Sequence, residues 1–454
     1  MLCLLALPSA AVAARDQAMY FEAPRDLKDP ATMQSALGDM DSLGVRAVRQ
    51  VLYWRDVAPA AGSKVKPDFD TTDPAAYNWG VYDAIVDAVK ARGWKLLLTV
   101  SGPVPRWATE KRNDQLTRPD PSEFAQFMTA VAKRYAGKID VWSIWNEPNQ
   151  PQFLKPQFDA KGKPVSPRLY RALYRGALKA FDTLKLTPAI LFGETSPRGT
   201  GKVVAPLTFL RGALCLSSKY KLQKGCGELP AAGIAHHAYT TRLGPFFKPP
   251  GPNDVTIGVL SRLTKAVDRA GHAGAINKGL PIWLTEFGIQ SQPDPQYGVS
   301  YQQQAEYRAI SERIAYDSSR VKAFSQYLLR DDSAIKGVPA LARYGGFESG
   351  LKTAGGKYKP SFDAFRLPLV IRKRTATTAL AWGLVRPARA VATATIEYRD
   401  GSRGPFKALR QVTTDALGYF SADVAYKKGR QYRIAWGGTG TVTHGGATRA
   451  YSAP

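Results

Sequence analysis

Apolar, β-branched runs of strand length recur along residues 19–330, with helical patterns between them. The runs are MYFEAP (19–24), VRAVRQVLYW (45–54), WKLLLTVSG (94–102), IDVWSIWNEP (139–148), AILFGETSP (189–197), GIAHHAY (233–239), LPIWLTEFG (280–288) and AFSQYLLRD (323–331). Between them, YDAIVDAVKARG (82–93), SEFAQFMTAVAKRYAG (122–137), RLYRALYRGALKAFDTL (168–184) and YQQQAEYRAISERIAYD (301–317) place apolar residues at i, i+3 and i+4, the pattern of a helix with one buried face. Pro121-Ser122 supplies a start signal for the second helix and Gly137 a stop. Strands alternating with helices predict parallel βαβ units. Eight such units predict an α/β fold, a closed (β/α)8 TIM barrel over residues 15–368. An open doubly wound sheet would carry a Gly-rich phosphate loop after its first strand; here that position reads EAPRD.

After residue 366 the helical period stops. ATATIEYRDG, GPFKALRQVTTDALGYFSADVAY and RQYRIAW read as short strands joined by Gly and Asp turns. They predict a small antiparallel β-sandwich over residues 369–454, with an immunoglobulin-like layout. Arg372-Lys373-Arg374 reads as a charged linker leading into it, and the Gly-rich end as a frayed tail. The expected role of this module is that of a spacer.

Composition adds the compartment. Residues 2–13 are apolar or small and Ala11-Val12-Ala13 is a cleavage pattern, so residues 1–14 are expected to be a secretory signal peptide and the protein to be secreted. No other run is long and apolar enough for a transmembrane helix. Cys3 falls in the leader, which leaves Cys215 and Cys226 as an expected disulfide in an exported chain. No metal is expected, because none of the 4 histidines has ligand spacing with a cysteine. The formal charge of +26, from 63 Lys and Arg against 37 Asp and Glu, is spread along the chain rather than bunched. That distribution favours contact with an anionic cell wall or acidic polysaccharide over nucleic acid.

In such a barrel, chemistry sits at the C-terminal ends of the strands. The fourth run ends in Trp145-Asn146-Glu147-Pro148 and the seventh in Thr285-Glu286-Phe287-Gly288. Strands 4 and 7 lie across the barrel mouth from each other, so two carboxylates can face one another there. Retaining glycosidases need that arrangement and require neither metal nor cofactor: one carboxylate attacks the anomeric carbon while the other gives and then takes a proton. Glu22 and Glu194, ending runs 1 and 5, are candidates for contact with sugar hydroxyls.

WNEPN (145–149) and LTEFG (284–288) together resemble clan A glycoside hydrolases of a family 39-like or family 5-like kind, over residues 19–366. The resemblance implies Glu147 as acid/base, Glu286 as nucleophile and Asn146 as a partner of the sugar 2-hydroxyl. It also implies Arg49 as the cation beside the nucleophile, with Arg46 competing for the role, and His237 and Tyr239 of HHAY as site residues. Many clan members carry a tryptophan after strand 8. This chain has none there, and Tyr327 is the residue placed to stack on a sugar ring; Arg330 and the neighbouring aspartates are placed to read its hydroxyls. Trp54, Trp107, Trp145 and Phe153 are further candidates for sugar stacking. The expected substrate is therefore an oligo- or polysaccharide. A barrel that binds glycans or cell wall without turnover is the alternative.

Overall fold

The computed structural model describes residues 16–339, 341–388, 390–438 and 440–452; the expected leader and Cys3 lie outside them. Eight strands close into a barrel in chain order. They are β1 (Ala18–Glu22), β2 (Ala47–Tyr53), β3 (Lys95–Ser101), β4 (Val141–Ile144), β5 (Ile190–Thr195), β6 (Gly233–His237), β7 (Ile282–Glu286) and β8 (Val321–Tyr327). All neighbouring pairs are parallel, and β1 closes on β8 with Ala18 opposite Ala323 and Glu22 opposite Tyr327. The helices Gly80–Ala91, Pro121–Tyr135, Ser166–Thr183 and Tyr301–Tyr316 fall on the four periodic stretches. The Asp120 side chain caps the second by accepting from Ser122 and Glu123 amides, and Ser300 with Gln303 forms a capping box on the fourth.

The barrel interior follows from the period of two along a strand. One residue from each strand fills its lower layer: Tyr20, Ala47, Leu97, Val141, Leu191, Ala235, Trp283 and Ala323. Two residues further along β1 to β4 the inward position is Glu22, Arg49, Thr99 and Ser143, all buried. The same alternation that packs an apolar plug at the bottom thus delivers a polar layer beneath the mouth. Outside the strands, the helices close a second and larger apolar shell.

The change of core falls between Phe365, in the barrel shell, and Leu367, in a separate cluster with Ile371, Ile396 and Ile434. Beyond it the chain forms β9 (Leu369–Lys373), β10 (Thr378–Leu384), β11 (Thr393–Asp400), β12 (Lys407–Thr413), β13 (Tyr419–Ala425), β14 (Arg430–Trp436), β15 (Thr443–His444) and β16 (Thr448–Tyr451). The order is β12-β11-β14-β16-β9-β10-β13, with β15 on β14. This is a β domain, but a mixed one, since β16 runs parallel to β9 and antiparallel to β14. The Gly-rich end is therefore not a loose tail as far as Tyr451: it joins two otherwise separate strand edges and pairs their backbone groups. Arg372 and Lys373 likewise belong to β9 and pair with β10, rather than forming a linker.

The β domain is no spacer. Trp382, Leu384, Tyr419 and Val370 pack on Ala309 and Tyr316 of the barrel helix that precedes β8. Phe246 of the long β6 loop meets Tyr451, with ring centroids 5.5 Å apart. Arg386 donates to both oxygens of the fully buried Glu312 at 2.8 and 2.9 Å, and Arg308 pairs with the same carboxylate. Burial alone would raise Glu312, but the two guanidiniums hold it below its ordinary value. Breaking a buried pair from one side costs about 3–5 kcal/mol. Arg386→Ala should therefore cost about 3 kcal/mol, since Arg308 remains, and should lower the thermal unfolding midpoint. An unchanged midpoint would mean that this contact does not hold the two units together.

Candidate active site

The ends of β4 and β5 bring their side chains in through irregular backbone. Trp145, Glu147 and Glu194 have φ of 70°, 38° and 47°, a left-handed conformation that non-glycine residues adopt at a cost and that clusters where geometry matters. The turn after β4 is tied on several sides: Trp145 N donates to Val100 O at 2.9 Å, Asn146 N to Ser101 Oγ at 3.0 Å, and Glu147 N to Glu194 O at 3.1 Å. Strict alternation from Leu191 would point Gly193 and Thr195 inward. A register shift between Gly193 and Thr195 turns Glu194 into the barrel instead. Gly193 has φ of 116°, and a Cβ there would lie 2.7 Å from Ala235 O, so glycine is required for that turn.

Arg49 is the hub. It is fully buried, and its guanidinium meets Glu286 Oε2 at 3.1 Å, Asn146 Oδ1 at 2.7 Å and Glu194 Oε2 at 2.9 Å, and pairs with Glu22 as well. Thr99 Oγ1 also donates to Glu194, at 3.0 Å. Glu22 and Glu194, candidates for sugar contact in the sequence, are spent on Arg49. Arg46 is excluded from this role: it pairs with Asp41 at the surface.

Glu286 receives a second donor, Tyr239 Oη, at 2.7 Å from Oε1. Glu147 faces it from β4. One oxygen of each carboxylate and a ring nitrogen of His237 all lie within 4.8 Å of one another. His237 Nδ1 and Glu147 Oε1 share a hydrogen bond of 2.9 Å. Burial lowers His237 below its ordinary value, so the ring is neutral, and burial raises the Glu147 carboxyl to about 8 despite the nearby Arg49. At neutral pH Glu147 is therefore a protonated acid, with 14% of its side chain open to the mouth. Glu22 is raised to about 8 as well, first by burial.

Tyr327 flanks the pair. Its ring lies 6.5 Å from that of Tyr239 and 5.0 Å from Phe347, edge-on in both cases. Phe347 is 36% exposed, an open aromatic face at the mouth that no sequence signal marked, because its loop lies well past the last barrel strand. Trp54, by contrast, is not at the mouth. It is fully buried, stacked on Phe127 at 4.9 Å and edge-on to Trp107, so it cannot meet a sugar. Trp107 and Trp145 are core residues too, at 3% and 0% exposure. Arg330, Asp331 and Asp332 are occupied by Asp26, Lys359 and Arg25, which takes them out of hydroxyl recognition.

Cys215 and Cys226 form a disulfide in the loop before β6. No described helix is long and apolar enough to cross a membrane.

The chain matches no family model and no curated protein. Its fold is similar to solved structures at low identity. An exported protein from Bacteroides fragilis shares 11% identity with a TM-score of 0.49, covering 92% of this chain and 99% of that one. A β-glucosidase from Exiguobacterium marinum shares 14% identity with a TM-score of 0.48, covering 73% and 84%. A β-glucosidase from Exiguobacterium antarcticum shares 14% with a TM-score of 0.45, over the same shares of each chain.

By ligand count, Glu147, His237 and Glu286 could also hold a cation. The Arg49 guanidinium at 3.1 Å from Glu286 already supplies a positive charge on one of the three, which disfavours a second. What the arrangement offers chemically is one carboxyl served by two donors, facing a second that burial raises to about 8.

Proposed function

We propose that this protein is a secreted retaining glycoside hydrolase acting on an oligo- or polysaccharide, with Glu286 as nucleophile and Glu147 as acid/base. The observation that carries this reading is the close approach of two carboxyls, one held by Arg49 and Tyr239 and the other buried beside His237. Retaining enzymes hold the pair about 5–5.5 Å apart, and inverting ones leave about 6.5–9.5 Å for a water. Oxygens within 4.8 Å fit the shorter class. In the first step a Glu286 oxygen bonds to the anomeric carbon as the glycosidic C–O bond breaks, and the Glu147 proton passes to the leaving oxygen. In the second, Glu147, now a carboxylate, takes a proton from water as that water displaces Glu286. Arg49 and Tyr239 hold the nucleophile in place, and Asn146, held by Arg49, is assigned to the sugar 2-hydroxyl. Tyr327 and Phe347 supply aromatic faces for the ring. Export is supported by the leader-like start and by a disulfide, which suits an oxidising compartment.

The test is turnover of a panel of dinitrophenyl and nitrophenyl glycosides, with the first-formed anomer followed by proton NMR, in the presence and absence of EDTA. Release of the starting anomer, unaffected by EDTA, is expected. Release of the opposite anomer would overturn the assignment of Glu286, and loss with EDTA would favour the cation reading. Binding of a glycan without turnover on the panel would leave a non-catalytic barrel.

A further inference from the structure

An open cavity of about 810 Å3 lies away from the two glutamates but on the same face of the barrel. Its walls are the loops that follow β3, β4 and β5. Four cations line it, Lys111, Arg118, Lys155 and Lys202, against a single carboxylate, Glu110. Glu110 pairs with Arg118 at 3.2 Å, with both side chains about half exposed, so the pair is weak and the guanidinium is not withdrawn from solvent. Lys111, Lys155 and Lys202 make no ion pair among the described residues. These three converge on one concavity, with no carboxylate of their own to neutralise them.

The cavity has an apolar wall as well: Phe158, Pro151 and Pro156. A pyranose ring presents both chemistries such a site needs, C–H faces for the aromatic and proline surfaces and, in a uronate or sulfated sugar, an anionic substituent for the cations. The walls are fixed. Arg118 N donates to Lys155 O at 2.8 Å and Lys155 N to Leu116 O at 2.9 Å, stitching the β3 and β4 loops together. Gln157 Nε2 donates to Pro148 O at 3.0 Å and Leu154 O at 2.7 Å, which ties the cavity wall to the residue next to Glu147.

We propose that this cavity is a subsite for an anionic sugar residue, one carrying a carboxylate or a sulfate ester, in the part of the chain that departs with the leaving oxygen. The position rests on the proposed hydrolase reading. The acid delivers its proton to the leaving side, and the cavity is built from the loop that begins at Glu147, whereas Glu286, Tyr239 and Tyr327 belong to the opposite side of the mouth.

Two measurements separate this proposal from the hydrolase reading. The first is binding to the Glu286→Gln protein, where no turnover intervenes. Fluorescently labelled oligogalacturonate is compared with its fully methyl-esterified form, and dextran sulfate with dextran; a DNA oligonucleotide of similar charge is the control. The acidic glycan is expected to bind at least ten-fold more tightly than its neutral counterpart. The triple substitution K111Q/K155Q/K202Q should remove roughly ten-fold of that affinity, three weak charge contacts' worth. Which acidic glycan binds decides between carboxylate and sulfate. Equal binding of acidic and neutral forms, no effect of the triple substitution, or equal binding of DNA would overturn the subsite. The second measurement is turnover by the triple variant with Glu286 intact. Aryl glycosides, which do not reach the cavity, should be hydrolysed within about two-fold of the wild-type rate. If the wild type hydrolyses no aryl glycoside while charge-dependent binding persists, the hydrolase reading fails and an anionic-glycan site remains.

Discussion

Glu286→Ala should lower kcat by roughly 10^5-fold on every substrate, the scale seen when a covalent nucleophile is removed, whereas Glu147→Ala should give a loss that depends on the leaving group. A protonated acid contributes about 10^2–10^4-fold, but a dinitrophenolate departs without a proton. Glu147→Ala should therefore still form the glycosyl-enzyme from dinitrophenyl glycosides and then stall, because no base activates water. Azide needs no base. It should restore turnover of Glu147→Ala with a product that keeps the starting anomeric configuration, and of Glu286→Ala with one that inverts it. The wild-type pH profile gives a second handle. Because burial raises Glu147 to about 8, the acid form predominates below that pH and is lost as pH rises through it. With poor leaving groups kcat/KM should fall on the alkaline side near pH 8, and with dinitrophenyl substrates or Glu147→Ala that limb should vanish. Retention of activity within ten-fold by Glu286→Ala would remove the nucleophile from the scheme.

Much of this geometry was legible because two periods carry it. The strand runs are apolar and β-branched, the helices repeat at i, i+3 and i+4, and motifs at strand ends land at the mouth once the barrel closes. Glu147, Glu286, Asn146, Arg49, His237, Tyr239 and Tyr327 accordingly gather there. The failures have separate physical causes. Glu194 turns inward only through the register shift at Gly193, which a regular period of two does not contain. Trp54 follows β2 directly, but a short helix at Trp54–Val57 swings it onto Phe127. The pairing of β16 with β9 joins segments far apart in the chain, so local pattern is silent about it. Phe347 enters the mouth from a long loop with no period at all.

Arg49→Met should be the most damaging change that leaves both facing glutamates in place. The side chain it removes is fully buried and serves Glu22, Glu194, Glu286 and Asn146 together. Without it, three carboxyls share a low-dielectric space with no cation, and a buried pair broken from one side costs about 3–5 kcal/mol. Activity should fall too, since Glu286 and Asn146 lose the group that aims them. The damage should depend on pH in a known direction. In the wild type, the folded state keeps the Glu22 proton between the ordinary 4.5 and about 8, where the unfolded chain releases it. Its contribution to stability is therefore present below 4.5 and declines as pH rises through that window. Removing Arg49 takes away the cation that opposes burial, so the same decline should extend to higher pH, and Arg49→Met should melt closer to the wild type at pH 5 than at pH 8. Adding Glu194→Gln removes one of the orphaned carboxylates. The double variant should recover part of the stability at pH 8 without recovering activity, because Glu286 keeps only Tyr239 and still lacks its cation. Equal stability losses at the two pH values, or recovery of turnover in the double variant, would show that Arg49 acts through packing rather than through the carboxyls it holds.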